Sequence, residues 1–150
     1  MNKALAGILV TIVAFFAAGA VLDFTVIHGG FNWSGSSDTL YKYWISLGIL
    51  VTAFAFAITY IAWTFGMPTR QAVALFLTVW LLFIAGLMDY FFALFAYLRG
   101  EHYSFNDVWS AQYKIFVANG LLPEWTWIHQ ALWALGCLII IILVWRWALR

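Results

Sequence analysis

Four long apolar runs constrain the folding of this chain more than any other feature. They cover about 4–28, 42–66, 70–98 and 124–148 of the 150 residues. As a helix, each run is long enough to cross about 30 Å of hydrocarbon, because a helix rises about 1.5 Å per residue. The sequence therefore predicts one domain, an all-α integral membrane protein with a four-transmembrane-helix bundle.

The composition agrees with insertion into a lipid bilayer. Hydrophobic residues make up 66% of the chain and charged residues only 9%, whereas soluble domains have about 25% charged residues. The net charge of +1 gives no reason to expect nucleic acid as a partner. The first 20 residues imitate a cleaved secretory signal, with Lys3 before the apolar run and Ala18-Gly19-Ala20 after it. We expect this segment to be retained as the first span.

Charged residues are divided unequally between the two sides of the predicted membrane. When the spans run back and forth, one side has four basic residues and no acid: Lys3, Arg70, Arg146 and Arg150. The other side has all six acidic residues and the three other basic ones. Because cytoplasmic flanks are rich in Lys and Arg, we predict that both termini are cytoplasmic. The loops 29–41 and 99–123 are then on the extracytoplasmic side.

The longer of these two loops has a helix signal of its own. Ser104 and Asp107 form a capping box, and apolar residues then recur at helical spacing. Asn119-Gly120 is typical of a helix end. These features predict a short amphipathic helix of about 105–118, which lies along the outer interface or folds over the mouth of the bundle.

Asp89 is the strongest single candidate for a functional residue. It lies nine residues before the end of the third span, about 13 Å below the outer end of that span. An Asp at this depth costs about 2.5–3.5 kcal/mol on insertion scales, so it must face protein or water. A stripe of small and polar residues shares its helix face: Thr78, Ala85, Gly86, Ala93 and Ala96. Small residues allow close helix packing, so we predict that Asp89 points into the bundle as a ligand contact or as a helix-bridging hydrogen-bond acceptor.

Two further spans carry polar residues at a similar level. Asp23 lies about 7 Å below the outer end of the first span, one turn after Gly19 and Ala20. His129 lies five residues into the fourth span, between Trp125 and Trp133. A histidine can ligate a metal or haem, or can relay protons, and the indoles flanking it could stack on a flat cofactor or fill the core.

These residues predict one outward-opening site. The candidate catalytic residues are Asp89 and Asp23. The candidate cofactor-binding residues are His129, His28, Trp125 and Trp133, with His28 and His129 as one conceivable pair of haem ligands. The candidate metal ligands are Asp23, Asp89, His129 and Glu124, a donor set that suits Zn, Fe or Cu. A metal ion, a haem and a quinone all stay open as cofactors.

Three functions are compatible with this site. The first is a small subunit of a larger redox membrane complex, with other membrane subunits or copies of itself as partners. The second is an intramembrane enzyme that uses Asp23, Asp89 and His129 on a lipid-like or small apolar substrate. The third is a binding or transport protein with an outer pocket. The cytoplasmic halves of the spans are almost wholly apolar, which argues against a channel or pump through one subunit.

Overall fold

The chain is helical, as its apolar runs predict. A computed structural model describes the backbone of residues 3–28, 37–101 and 112–150, with the side chains of 6–22, 45–101, 112 and 115–150. The helices within these ranges are α1 (Lys3–His28), α2 (Ser37–Thr64), α3 (Thr69–Ile84), α4 (Leu87–Leu98) and α5 (Trp127–Ala148), and a π-helical turn at Tyr113–Val117 precedes α5. No strand occurs in these ranges, so the all-α class is confirmed.

Two of these helices are long and apolar enough to cross a membrane alone, namely Ile45–Thr64 within α2 and the whole of α5. The bent pair of α3 and α4 is a third candidate when it is taken as one span. In α1, Ala6–Leu22 is a shorter apolar helix. The described residues thus give two or three candidate spans, and a fourth span and the orientation of the termini stay predictions.

A tight turn joins α2 to α3 where Gly66 and Pro68 predict one. Gly66 has a φ of 93°, a left-handed conformation that glycine adopts without strain. Its N–H donates to the Trp63 carbonyl, and the Met67 N–H donates to the Ala62 carbonyl, each at 3.0 Å. The last carbonyls of α2 are therefore satisfied. Pro68 precedes the first residue of α3, where a backbone N–H is not needed.

Helix α3 packs against both α2 and α5, whereas α4 packs against α1. One cluster of buried side chains contains residues from each of the helices α1, α2, α3 and α4. Its members include Ile12, Phe16, Val51, Ala55, Leu75, Val79 and Met88. A β-carbon on Gly19 would lie 3.1 Å from Met88 Cε, so α1 and α4 approach closely there. Lipid tails are as apolar as these side chains, and so close packing rather than escape from water holds such helices together.

A polar bridge adds to the contact between α3 and α5. The Trp145 indole N–H donates to Thr78 Oγ1 at 2.9 Å, and that hydroxyl donates to the Ala74 carbonyl at 2.7 Å. Both polar groups are thereby satisfied within an apolar interface, which avoids the cost of leaving them unpaired there. This bridge fixes α5 beside α3 six residues, or less than two turns, before α3 ends.

The helices depart from the predicted apolar runs at two points. The run 70–98 is not one continuous helix, because the chain bends by 47° between Ile84 and Leu87. The last helix begins at Trp127 rather than at about 124, because Thr126 takes the N-cap position with extended backbone.

The first half of the predicted loop helix of about 105–118, residues 105–111, lies outside the described residues. The last part of the predicted helix forms the π-helical turn Tyr113–Val117. Gly120, with a φ of 72°, then ends the turn, and its N–H donates to the Val117 carbonyl at 2.9 Å. The stop therefore lies at Asn119-Gly120, the position that the sequence indicates.

Candidate functional site

The bend between α3 and α4 is centred on Gly86. This residue has a φ of 78°, and its N–H donates to the Phe83 carbonyl at 3.0 Å. Its own carbonyl accepts the Tyr90 N–H at 3.1 Å and so starts α4. One glycine thus ends one helix and begins the next, which a residue with a β-carbon would do only under strain of about 1–2 kcal/mol. We call the backbone of 84–86 the helix break.

The helix break frees two carbonyls that a continuous helix would have paired. The Ile84 carbonyl accepts the Trp133 indole N–H at 2.8 Å and the Gln112 side-chain N–H at 3.2 Å. The Ala85 carbonyl accepts the Gln130 side-chain N–H at 3.0 Å. Irregular backbone within a membrane is tolerated only where such partners satisfy it. Side chains from α5 and from the segment before it therefore make the bend possible.

Gln130 is the main support of the helix break. Its side chain is fully buried, and its amide oxygen accepts the Trp125 indole N–H at 2.8 Å. An indole can only donate, so this bond fixes which end of the amide carries the oxygen. A β-carbon on residue 86 would collide with Gln130 Nε2. The glycine at 86 therefore allows the amide to reach the Ala85 carbonyl.

Asp89 lies in the first turn of α4, three residues after Gly86. The side chain is half-buried, and Oδ2 lies 2.9 Å from the point that a β-carbon of residue 86 would occupy. The first turn of a helix favours negative charge, because its backbone N–H groups point toward that end. The helix break thus creates a positive helix end beside the carboxylate. The stripe predicted to share its face is inside the protein, since Thr78, Ala85, Ala93 and Ala96 are buried.

His129 takes part in the start of α5. The Thr126 backbone N–H donates to His129 Nδ1 at 3.2 Å, and the Thr126 hydroxyl lies 3.0 Å from the same nitrogen. Nδ1 is therefore an acceptor, and in the neutral ring Nε2 carries the hydrogen and can donate it to a ligand. The ring stacks on Trp125 with centroids 5.5 Å apart.

The two tryptophans beside His129 pack against other side chains of this chain. Trp125 is buried and stacks on Phe116 with centroids 4.9 Å apart. Trp133 meets the edge of the same phenylalanine at 5.6 Å. Together with their bonds to Gln130 and to the Ile84 carbonyl, these contacts give both indoles a part in building the helix break.

The predicted metal ligands are not brought together among the side chains that the structure describes. In that part of the chain no three His, Cys, Asp or Glu side chains are close enough to hold a metal ion. Glu124 is exposed. Asp23 and His28 lie on the backbone of α1, and their side chains are outside the described set. The part that these two residues would take in a metal or haem site stays a prediction.

Sequence reasoning missed the polar support of the bend. It placed Gly86 in a packing stripe and gave Gln130 no role. The available signal was a glycine three residues before an acid within an apolar run, together with the single amide residue of the last apolar run. Neither feature is specific, because a glycine in a span also serves close packing and a single amide has many possible partners. No known protein family, no curated protein and no solved structure matches this sequence.

Proposed function

We propose that this chain is a small four-span subunit of a larger redox membrane complex, with a ligand site at Asp89 beside the helix break. One observation carries the proposal. Asp89 lies within the bent third span, and the chain buries its side chain only in part. Exposure of an Asp carboxylate to lipid within a span costs about 2.5–3.5 kcal/mol of insertion free energy. The rest of its surface therefore meets water, a ligand or another subunit.

A quinone fits this site better than a metal ion. A carboxylate can accept the hydroxyl hydrogen of a hydroquinone, and an apolar ring system can enter between helices from the bilayer. A metal ion would need several donors, and the described acids and histidines are not grouped to supply them. The ligand class proposed is therefore an apolar molecule with hydroxyl or carbonyl groups on a ring.

The surface left by the helices supports a partner. Only 22% of the apolar stretch of α2 and 17% of that of α5 are buried within this chain. Most of each helix is thus available to lipid and to other membrane subunits or further copies of the chain. The bias of Lys and Arg supports cytoplasmic termini, and with that orientation Asp89 would lie in the outer half of the membrane.

The test is purification in a mild detergent, together with whatever accompanies the protein. The bound material is identified by its absorption spectrum, by elemental metal analysis and by organic extraction for quinones. We expect a quinone in stoichiometric amount that is lost in Asp89→Asn. Glu101→Gln is the matched control, because Glu101 pairs with Arg99 at 3.2 Å just after the end of α4 and should retain the ligand.

Other outcomes would replace the quinone with another ligand or overturn the proposal. A Soret band or a stoichiometric metal that disappears in His129→Ala would assign a haem or metal site instead. A folded protein that carries no ligand and has no partner subunit would contradict the proposed function.

The packing of α1 against α4 favours one alternative, an intramembrane enzyme. Ala20 packs in one buried cluster with Phe92 and Ala96, and Asp23 follows Ala20 by three residues. Two aspartates therefore lie on neighbouring helices, as an acid and a base would. Conversion of extracted membrane lipids by the purified protein, detected by mass spectrometry and stopped by Asp89→Asn, would establish this alternative.

A further inference from the structure

The segment 112–117, which we call the latch, is fastened beside the helix break by two side chains. Gln112 is buried, and its side-chain N–H donates to the Ile84 carbonyl at 3.2 Å. The ring of Phe116 stacks on Trp125 at an angle of 14° and meets Trp133 edge-on. The latch therefore covers the two indoles that support the bend.

Each carbonyl of the helix break also has a donor outside the latch. The Ile84 carbonyl has two lone pairs, and its shorter bond, 2.8 Å, comes from Trp133 on α5. Gln130, also on α5, satisfies the Ala85 carbonyl. Release of Gln112 would therefore leave no carbonyl of the break unpaired, and this avoids the cost of about 1–3 kcal/mol that an orphaned buried group carries.

The latch and Asp89 share one small space. Gln112 Nε2 lies 3.5 Å, and Asp89 Oδ2 lies 2.9 Å, from the point that a β-carbon of residue 86 would occupy. The buried amide thus fills the volume beside the carboxylate. When the amide leaves, that volume becomes free next to Asp89.

The backbone of the latch has features that suit movement. It forms a single π-helical turn. Such turns are rare in proteins as a whole, but those that occur are frequently at functional sites. The turn ends at Gly120, whose positive φ of 72° marks a change of chain direction before α5. The covering segment is thereby joined to a fixed helix through a conformationally permissive residue.

From these contacts we infer that the latch opens and closes access to the Asp89 site, with Gln112 as its fastening side chain. The inference rests on the proposed ligand site and adds how that site is reached. An apolar ligand would enter when Phe116 moves off Trp125, and the Gln112 amide would return to the Ile84 carbonyl when the site is empty.

Thiol labelling tests this inference without any knowledge of the ligand. Ala93 is buried against Trp125 beneath Phe116, so Ala93→Cys reports on access under the latch. A small water-soluble methanethiosulfonate is applied to the full-length protein, and labelling at each cysteine is measured by mass spectrometry. Native Cys137, buried elsewhere on α5, reports global unfolding.

We expect Gln112→Ala to speed labelling of Ala93→Cys by roughly 3- to 10-fold, the change in an opening equilibrium expected from one lost hydrogen bond. Asn119→Ala is the matched control just after the latch, because the Asn119 side chain donates to the Ile115 carbonyl at 3.1 Å, one turn back in the chain, and not to the helix break. This control should label at the parent rate.

Two results would overturn the latch. One is equal labelling with and without Gln112. The other is a parallel increase at Cys137, which would show that the substitution unfolds the protein as a whole. Neither result depends on the identity of the ligand, whereas loss of the ligand in Asp89→Asn does, so failure of the latch is distinguishable from failure of the proposed function.

Discussion

At residue 86 the chain has a φ of 78°, and the Gln130 amide occupies the space that a side chain would need. Glycine meets both demands, because it adopts positive φ without strain and has no β-carbon. The position of Asp89 follows from this one residue. A helix that starts at Leu87 places the carboxylate in its first turn, where the helix dipole favours a negative charge.

Gly86→Ala is therefore expected to destabilise the protein by more than about 1–2 kcal/mol, because backbone strain and the collision with Gln130 add together. The measurement is thermal or denaturant unfolding in a mild detergent. Gly136→Ala is the matched control, since a β-carbon there meets nothing within 4 Å in the described part of the chain. In a helix interior that change should raise stability by about 0.5–1 kcal/mol. Equal effects of the two substitutions would contradict the role given to Gly86.

Among the helices, α5 supplies most of the support for the bend in the third span. Gln130 links the Ala85 carbonyl to the Trp125 indole, while Trp133 reaches the neighbouring Ile84 carbonyl. The two carbonyls differ in one respect. The Ile84 carbonyl accepts from Gln112 as well as from Trp133. The Ala85 carbonyl accepts from Gln130 as its donor from another helix among the described residues.

Gln130→Leu should accordingly destabilise the protein more than Trp133→Phe. The first change leaves the Ala85 carbonyl and the Trp125 N–H without their bonds, at about 1–3 kcal/mol for each group. The second leaves the Ile84 carbonyl with the Gln112 donor and removes mainly packing area. Unfolding midpoints of the two variants under the same conditions measure the difference. A milder effect of Gln130→Leu would contradict the assignment of this side chain as the main support.

The sequence predicts the helices well but does not predict the bend. Apolar runs indicate how long each helix is. Gly66 and Pro68 indicate the end of one helix and the start of the next. Gly86 carries no comparable signal, because glycine is frequent in transmembrane helices and serves in close packing as often as in a break. What distinguishes it here is the Gln130 amide, which comes from a distant part of the chain.

The site shows the same limit. Depth in the span marked Asp89 as a candidate, since an acid there must be accommodated. His129 was marked by its chemistry, but the structure engages its Nδ1 in the start of α5. Local hydrogen bonds of this kind depend on the position of the helix end, which a predicted boundary gives only to within a few residues.

On the scale of the whole molecule, the distribution of charge and the small buried surface both fit a protein that spans a membrane. Basic residues are concentrated on one side of the predicted spans and acids on the other. The helices bury little of their surface within one chain. A small protein of this kind gains further contact area from partners or from lipid. We propose that Asp89 marks the place where that contact is specific.

The predicted orientation has a direct test with single cysteines in a Cys137→Ala background. Thr69→Cys is at the exposed first residue of α3, and Glu101→Cys lies just beyond α4. A membrane-impermeant maleimide added to intact cells should label position 101 and leave position 69 unlabelled until the membrane is opened. The reverse pattern would place both termini outside.

The central claim is that the exposed part of Asp89 contacts a ligand or partner within the membrane. Native mass spectrometry of the protein released from a mild detergent measures this most directly. We predict a mass above that of the chain, from a small apolar ligand or an accompanying subunit, that Asp89→Asn loses and Glu101→Gln keeps. A bare chain in all three samples, or a ligand that Asp89→Asn retains unchanged, would contradict the claim.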